Sequence, residues 1–160
     1  MVPTAWRYNP PGMAELGRRI TPAAGSRHIL VVEDEEVIAC LLADVLSLGG
    51  YRVTTCGTVG AALEALATHP DFALCVSDFL LPDRTGLELA RELRRLRPQL
   101  RMVLASAFLE SEVEDLVASE PSVALVVRKP VDVFALRAQI DALVAAHGGA
   151  AEVAAEALGG

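Results

Sequence analysis

The order of hydrophobic patterns along the chain is the feature that most restricts its fold. Short runs that are apolar and rich in β-branched residues alternate with segments whose apolar residues recur at helical spacing. The predicted strands are 28–33, 51–56, 72–77, 101–105 and 123–127. The predicted helices are 35–48, 58–67, 87–97, 111–119 and 131–146. Apolar strands covered by helices on both faces predict an α/β fold, a doubly wound five-stranded parallel sheet with five helices.

Residues that start and stop helices support this alternation. Side chains that can cap helix N-termini lie at or next to the start of four of the predicted helices: Asp34, Thr58, Ser111 and Asp132. Ser111 has Glu114 three residues on, which is the spacing of a capping box. Glycine pairs at 49–50 and 148–149 are predicted to end the first and last helices.

The length of 160 residues suits one domain with its own core. Residues 1–27 contain several prolines and glycines without sustained periodicity, and they are predicted to form a flexible N-terminal extension. The predicted domain is 28–147, followed by an Ala/Gly-rich C-terminal tail at 148–160. This tail lacks the length and basic character of a DNA-binding domain, so the chain is expected to act alone.

Composition and charge exclude several classes of function. The net charge of −7 argues against nucleic-acid binding, which normally uses a basic surface. The sequence has no stretch long and apolar enough to cross a membrane and no signal peptide. Cys40, Cys56 and Cys75 lack metal-site spacing and are predicted to be reduced thiols. A cytoplasmic location is therefore expected.

Polar side chains follow four of the predicted strands. Glu33 and Asp34 follow the first, Asp78 the third, Ser106 the fourth and Lys129 the fifth. If those strands are neighbours, these groups meet at the carboxyl edge of the sheet, where such folds bind ligands. Each feature alone has a simpler explanation. The acidic run can serve to cap a helix, and a single lysine among arginines can reflect composition.

Together these groups suit phosphoryl transfer. An aspartate carboxylate can attack a phosphoryl group and form an acyl phosphate. A divalent cation held by Asp34 and Asp78 would offset the repulsion between carboxylates, and Mg²⁺ prefers such oxygen ligands. Lys129 and Ser106 would neutralise and orient the phosphoryl oxygens. The first loop has no glycine, which excludes a dinucleotide fingerprint or a P-loop.

Four motifs carry a resemblance to a known family: ILVVEDEE, CVSDFLLPDRTG, VLASA and VVRKP. Over residues 28–146 the chain resembles the receiver domain of bacterial two-component response regulators, a flavodoxin-like fold. The resemblance implies that Asp78 is the phospho-acceptor and that Ser106 and Lys129 contact the phosphoryl group. It implies Mg²⁺ bound by Glu33, Asp34, Asp78 and the backbone carbonyl of Leu80. It also implies a cis bond before Pro130 and a loop glycine at Gly86.

The implied function is a phosphorelay switch. Its partners would be a sensor histidine kinase or histidine phosphotransfer protein and a downstream protein target, with a homodimer left open. The domain would catalyse only its own phosphorylation and dephosphorylation and would otherwise not be an enzyme. The first helix is the expected kinase-docking element. The output face would be the acidic helix 111–119, the fifth strand and the last helix.

One departure from the family favours an alternative. Receivers often carry an aromatic residue three positions before the lysine, where this chain has Val126. The alternative is a degenerate receiver that serves as a constitutive protein-interaction module. A third hypothesis, a phosphohydrolase with an aspartate nucleophile, is disfavoured because Leu80 occupies the usual position of its acid/base aspartate. Leu80 also predicts slow loss of phosphate from Asp78. The arginines at 91, 94, 95 and 97 are predicted to form a solvated helix face.

Overall fold

The computed structural model describes residues 27–107 and 111–158. Within these ranges the strands are β1 (His28–Val32), β2 (Arg52–Cys56), β3 (Phe72–Asp78), β4 (Arg101–Ser106) and β5 (Val123–Arg128). The helices are α1 (Glu36–Leu48), α2 (Val59–Thr68), α3 (Gly86–Leu96), α4 (Ser111–Ala118) and α5 (Val133–Leu158). The predicted alternation is confirmed. The predicted N-terminal extension lies outside the described residues, except for Arg27.

The five strands form one parallel sheet in the order β2-β1-β3-β4-β5. This is the flavodoxin-like order, in which the chain winds first to one side of β1 and then to the other. The strand order reverses between β1 and β3, and folds of this type bind ligands at the carboxyl edge beside such a reversal. Strands β1, β3, β4 and β5 are neighbours, as the clustering of the polar strand ends requires.

Both faces of the sheet are buried. Alternate strand residues such as Leu30, Cys75 and Leu104 lie in one core cluster with side chains of α2 and α3. Their sequence neighbours, such as Val31 and Val76, lie in a second cluster with α1 and α5. The strands are therefore apolar along their whole length because each successive side chain faces a different helical layer.

Two predicted helix starts are confirmed. The Thr58 hydroxyl accepts the N–H of Ala61 at 3.1 Å at the start of α2. The Asp132 carboxylate accepts the N–H groups of Phe134 and Ala135, both at 3.0 Å, at the start of α5. These contacts satisfy N–H groups that have no partner within the helix.

The predicted cap at Asp34 is wrong. The residue that precedes α1 is Glu35, and its side chain makes no capping hydrogen bond. The Glu35 N–H donates instead to the Glu33 carboxylate at 3.1 Å. Asp34 extends a carboxylate towards Glu33 and Asp78. α4 begins at Ser111, and the residues in front of it are not described, so its capping box with Glu114 stays a prediction.

The two glycine pairs behave differently. α1 ends at Leu48, and Gly50 adopts a φ of 87°, a left-handed conformation that favours glycine. The predicted end of the last helix before 148–149 is wrong, because the backbone of α5 stays helical to Leu158. Glycine in a helix interior costs about 1 kcal/mol relative to alanine, which does not forbid the helix, and the flanking alanines, glutamates and leucine are strong helix formers.

No helix within the described ranges is both long enough and apolar enough for a membrane crossing. The three cysteines are free, as predicted, with Cys56 and Cys75 buried.

Candidate functional site

The strand register brings the predicted site residues to one edge. Asp78 ends β3 opposite Ala105 of β4, and Ser106 ends β4 opposite Arg128 of β5. The N–H of Lys129 donates to the Ser106 carbonyl at 2.9 Å. This bond fixes the backbone of Lys129 against the end of β4, directly before the cis Lys129–Pro130 bond that the resemblance implied.

The Lys129 ammonium bridges two carboxylates. Its Nζ lies 2.7 Å from Oδ2 of Asp78 and 3.2 Å from Oε2 of Glu33. Burial lowers the pKa of Lys129, but the hydrogen bonds and negative charges of Asp78 and Glu33 outweigh burial and raise it above its ordinary value. The ammonium is therefore held in its charged form beside the Asp78 carboxylate.

Three carboxylates converge at this edge. Glu33, Asp34 and Asp78 each place one oxygen within 4.8 Å of the others. Glu33 is buried, and burial raises its pKa above its ordinary value in spite of the Glu35 N–H and the Lys129 ammonium. One lysine cannot neutralise three carboxylates, so the cluster keeps excess negative charge. That excess, with a donor set made only of oxygens, fits a divalent cation such as Mg²⁺.

The loop after β3 carries the backbone past Asp78. The Leu80 N–H points to Oδ1 of Asp78 at 3.4 Å, and Leu80 pairs with Thr85 in an isolated bridge. The Gly86 N–H donates to the Phe79 carbonyl at 2.7 Å, which closes the loop at the start of α3. This closure holds Leu80 beside the Asp78 carboxylate while its side chain stays exposed.

Gly86 is required by a close approach between backbones. A Cβ at this position would lie 2.3 Å from the Asp78 carbonyl oxygen and 2.7 Å from Cδ1 of Leu104. The first contact is with backbone, which cannot move aside as a flexible side chain could. A glycine here thus lets α3 begin directly against the end of β3.

Ser106 and Val126 occupy different settings. Ser106 is buried at the end of β4, one residue beyond the partner of Asp78. Val126 is half-buried in β5 and packs against the core cluster on the α2 and α3 side. Members of the family that the chain resembles often have an aromatic ring at this position, whereas here Val126 makes an aliphatic contact.

Sequence reasoning missed two interactions of the loop after β3. The Asp83 carboxylate accepts the N–H groups of Val59 at 3.0 Å and Gly60 at 2.9 Å, so it caps α2 from another part of the chain. Thr85 and Glu88 form a capping box for α3. The T-x-x-E spacing could have revealed the second interaction. Local sequence does not reveal the first, since 24 residues separate Asp83 from Val59.

Arg97, the residue that follows α3, differs from the arginines within that helix. Its guanidinium donates to the carbonyls of Leu66 at 2.6 Å and Pro70 at 3.0 Å, and so satisfies the C-terminal end of α2. The prediction of a solvated face holds for Arg91, Arg94 and Arg95, which are exposed, and is wrong for Arg97.

Comparison with known proteins identifies the family and supports the fold. The family model of the response regulator receiver domain matches residues 29–141. The response regulator receiver protein CpdR of Brucella abortus is 32% identical over 82 residues, which cover 51% of this chain and 68% of CpdR. The rice two-component response regulator ORR5 is 29% identical over 82 residues, covering 51% of this chain.

The chain spans only part of several curated relatives, including 61% of ORR5 and 37% of the probable transcriptional regulatory protein TcrX of Mycobacterium tuberculosis. Among solved structures, the response regulator protein TrrA of Thermotoga maritima in complex with Mg(2+)-BeF is 26% identical. Its TM-score is 0.65, with 73% of this chain and 98% of that chain covered. Given the matched family model, the sheet order and the clustered strand ends, this chain belongs to the family of response regulator receiver domains of two-component signalling.

Proposed function

We propose that the domain is a phosphorylation switch in which Asp78 accepts a phosphoryl group with the help of Mg²⁺. The observation that carries the proposal is the placement of the Lys129 ammonium 2.7 Å from Asp78, within a cluster of three carboxylates. A nucleophilic carboxylate, a fixed cation beside it and oxygen ligands for a metal are the parts that phosphoryl transfer needs.

In the proposed reaction, an oxygen of Asp78 attacks the phosphorus of a phosphohistidine on a sensor histidine kinase or phosphotransfer protein. The new P–O bond forms an acyl phosphate as the P–N bond breaks, and the departing imidazole keeps the bonding electron pair and takes a proton. Glu33, Asp34, Asp78 and the Leu80 carbonyl would hold Mg²⁺, which would offset the charge of the phosphoryl oxygens. Lys129 would pair with one phosphoryl oxygen, and Ser106 would donate its hydroxyl proton to another.

The switch would follow from the movement of these two side chains. In the unphosphorylated domain Lys129 pairs with Glu33 and Asp78. A phosphoryl group adds charge of about −1.5 to −2 near neutral pH and would draw the ammonium towards its own oxygens. Because the backbone of Lys129 is bonded to Ser106, that shift would reach the ends of β4 and β5 together.

The test is the mass of the intact protein after incubation with acetyl phosphate and Mg²⁺. We expect wild type and Asp83→Asn to gain one phosphoryl group and Asp78→Asn to gain none. Asp83 is a suitable control because it lies in the same loop and the amide still accepts one of the two N–H groups of Val59 and Gly60, which bond to separate carboxylate oxygens. An unmodified wild type, or equal labelling of Asp78→Asn, would refute the proposal.

Val126 supports a second candidate function, a constitutive interaction module. A half-buried valine packed against the core offers no ring to change position on phosphorylation. This candidate predicts that saturating beryllofluoride and Mg²⁺ leave the amide NMR spectrum of β4, α4 and β5 unchanged. Shifts throughout those elements, absent in Asp78→Asn, would exclude it.

A further inference from the structure

A cavity of about 220 Å³ lies beside the acidic cluster, between the sheet and the helices α1 and α5. Ile38 and Leu41 of α1 line one side of it, and Leu136 of α5 lines another. The polar lining residues lie at the carboxyl ends of β1, β3 and β5, and they are Glu33, Ser77, Asp78 and Lys129. The cavity therefore has an apolar body and one charged end.

The size of the cavity suits a small molecule with one aromatic ring. An engineered apolar cavity of about 150 Å³ binds benzene, so the larger volume here can admit a phenyl ring with a short side chain. The cavity can be reached from solvent on the side of α1, since Leu41 lines it and is 48% exposed. A ring that enters there would remove apolar surface from water, which favours binding.

The carboxylates at the charged end can accept a further hydrogen bond. The Lys129 ammonium takes Oδ2 of Asp78 and Oε2 of Glu33. The Glu35 N–H donates to Oε1 of Glu33, and the Leu80 N–H approaches Oδ1 of Asp78 only to 3.4 Å. Because an ionised carboxylate offers about four lone-pair positions, Asp78 has acceptor capacity left for a donor in the cavity.

The charge at this end selects the polar group of the occupant. Glu33, Asp34 and Asp78 form a cluster of three carboxylates, and Lys129 pairs with two of them, which leaves excess negative charge. A carboxylate on the occupant would add to the repulsion, and a hydroxyl would make only a neutral donor's hydrogen bond. An ammonium would reduce the excess charge and donate a stronger, charge-assisted hydrogen bond.

We propose that this cavity is a binding site for a small arylalkyl amine. The aromatic ring lies among the apolar side chains between α1 and α5, and the ammonium donates to the Asp78 carboxylate. The proposal concerns the metal-free, unmodified domain, and it does not depend on phosphorylation of Asp78.

Methyl NMR of the full-length protein, titrated with 2-phenylethylamine in EDTA, tests the proposal. Ile38 lines the cavity, whereas Ile29 and Ile140 belong to the same apolar layer but do not line it. We expect saturable shifts of the Ile38 methyl signals, with a dissociation constant on the order of 1 mM, and smaller shifts at Ile29 and Ile140. 2-Phenylethanol should bind about tenfold more weakly, and 3-phenylpropionate more weakly still, because neither donates a charge-assisted hydrogen bond.

Two variants that remove the same charge locate the polar contact. Asp78→Asn should weaken binding of the amine about tenfold and leave binding of the alcohol unchanged. Asp44→Asn should behave as wild type, since Asp44 lies on α1 but does not line the cavity. Ile29 and Ile140 signals at their wild-type positions show that each variant is folded.

Three results would overturn the proposal. The first is the absence of a saturable shift at Ile38, or shifts of equal size at all three isoleucines. The second is equal affinity for the amine and the alcohol in wild type. The third is an amine affinity that Asp78→Asn leaves unchanged. Because no arm of this experiment involves phosphate or a metal, its failure is distinct from a failure of the proposed switch.

Discussion

At the scale of single residues, Gly86 and His28 have roles that depend on one added methyl group and on one bound proton. Gly86 was identified from a motif in the sequence, but the reason for it is visible only in three dimensions, where the Asp78 carbonyl occupies the space of a Cβ. His28 carried no signal in the sequence beyond opening a strand. The structure places it in a buried hydrogen-bonded group at the amino end of the sheet.

We predict that Gly86→Ala destabilises the protein by about 1–3 kcal/mol, because the new methyl group overlaps backbone that cannot yield. Gly57→Ala is the matched control, since a Cβ there meets nothing within 4 Å. Urea unfolding of both variants measures the difference. Equal stabilities would show that the start of α3 can shift away from β3.

We predict an acid-side loss of stability that depends on His28. Its ring nitrogens lie 3.1 Å from Asp71 Oδ1 and 2.7 Å from the Thr54 hydroxyl, and Arg52 also contacts Nδ1. Burial, aided by the positive charge of Arg52 and opposed by Asp71, lowers the pKa of His28 below 6.5. The unfolded chain therefore binds the proton first, so stability is complete above about pH 6.5 and falls as the pH drops below that value.

Chemical denaturation between pH 7.5 and 5 should show this loss in wild type and a flatter profile in His28→Gln. Asp71 affects stability only in a lower pH range, because its pKa is below the usual value of 3.8. Burial raises the pKa of Asp71, but His28 and Arg52 outweigh burial. Identical slopes in the two proteins above pH 5 would assign the loss to other groups.

At the scale of elements, the features that could be predicted are those that depend on residues close together in the sequence. Hydrophobic periodicity located every strand and helix, and the caps at Thr58 and Asp132 lie next to the helices they start. Interactions between elements were not predictable in this way. Asp83 caps a helix that begins 24 residues earlier, and Arg97 satisfies carbonyls 27 and 31 residues away. Such pairings depend on how the elements pack against one another, which local patterns do not encode.

The residues of the site, unlike these contacts, could be predicted from the sequence, because parallel strands place all their carboxyl ends at one edge of the sheet. Glu33, Asp34, Asp78, Ser106 and Lys129 each follow a strand, so topology alone brings them together. The distances between their charged groups and the cavity beside them could not be predicted, since both depend on how α1 and α5 pack on the sheet.

We predict that Arg97→Ala costs about 1.5–3 kcal/mol of stability, the range for hydrogen bonds to charged groups, because the carbonyls of Leu66 and Pro70 lose the guanidinium donor. Arg95→Ala is the control. Arg95 is 75% exposed and pairs with Glu92 at 3.4 Å, an interaction worth about 0.5 kcal/mol or less. Thermal and urea unfolding should rank the two variants in this order, and a neutral Arg97→Ala would contradict the assignment.

At the scale of the whole molecule, the charges that the proposed metal binding needs act against stability at the carboxyl edge. Three carboxylates within 4.8 Å repel one another and favour unfolding until a cation arrives. The same charges would attract a divalent cation such as Mg²⁺. The fold therefore holds a destabilising group of charges at the point where its proposed function needs them.

We predict that Mg²⁺ raises the melting temperature of wild type, with a stabilisation of about 2.7 kcal/mol at a free concentration 100 times the dissociation constant. Asp34→Asn should be more stable than wild type in EDTA, because one repelling charge is gone, and should lose most of the response to Mg²⁺. A full response in Asp34→Asn would remove Asp34 from the proposed metal ligands.

The single lysine has a practical consequence for chemical labelling. Apart from the α-amino group, Lys129 is the only amine in the protein, and it lies against Asp78. Reagents that acylate amines will therefore either leave the side chains untouched or modify the site itself. Immobilisation by amine coupling would attach the molecule either through its α-amino group or through the side chain that it is proposed to use for signalling, whereas coupling through an added tag would leave that side chain free.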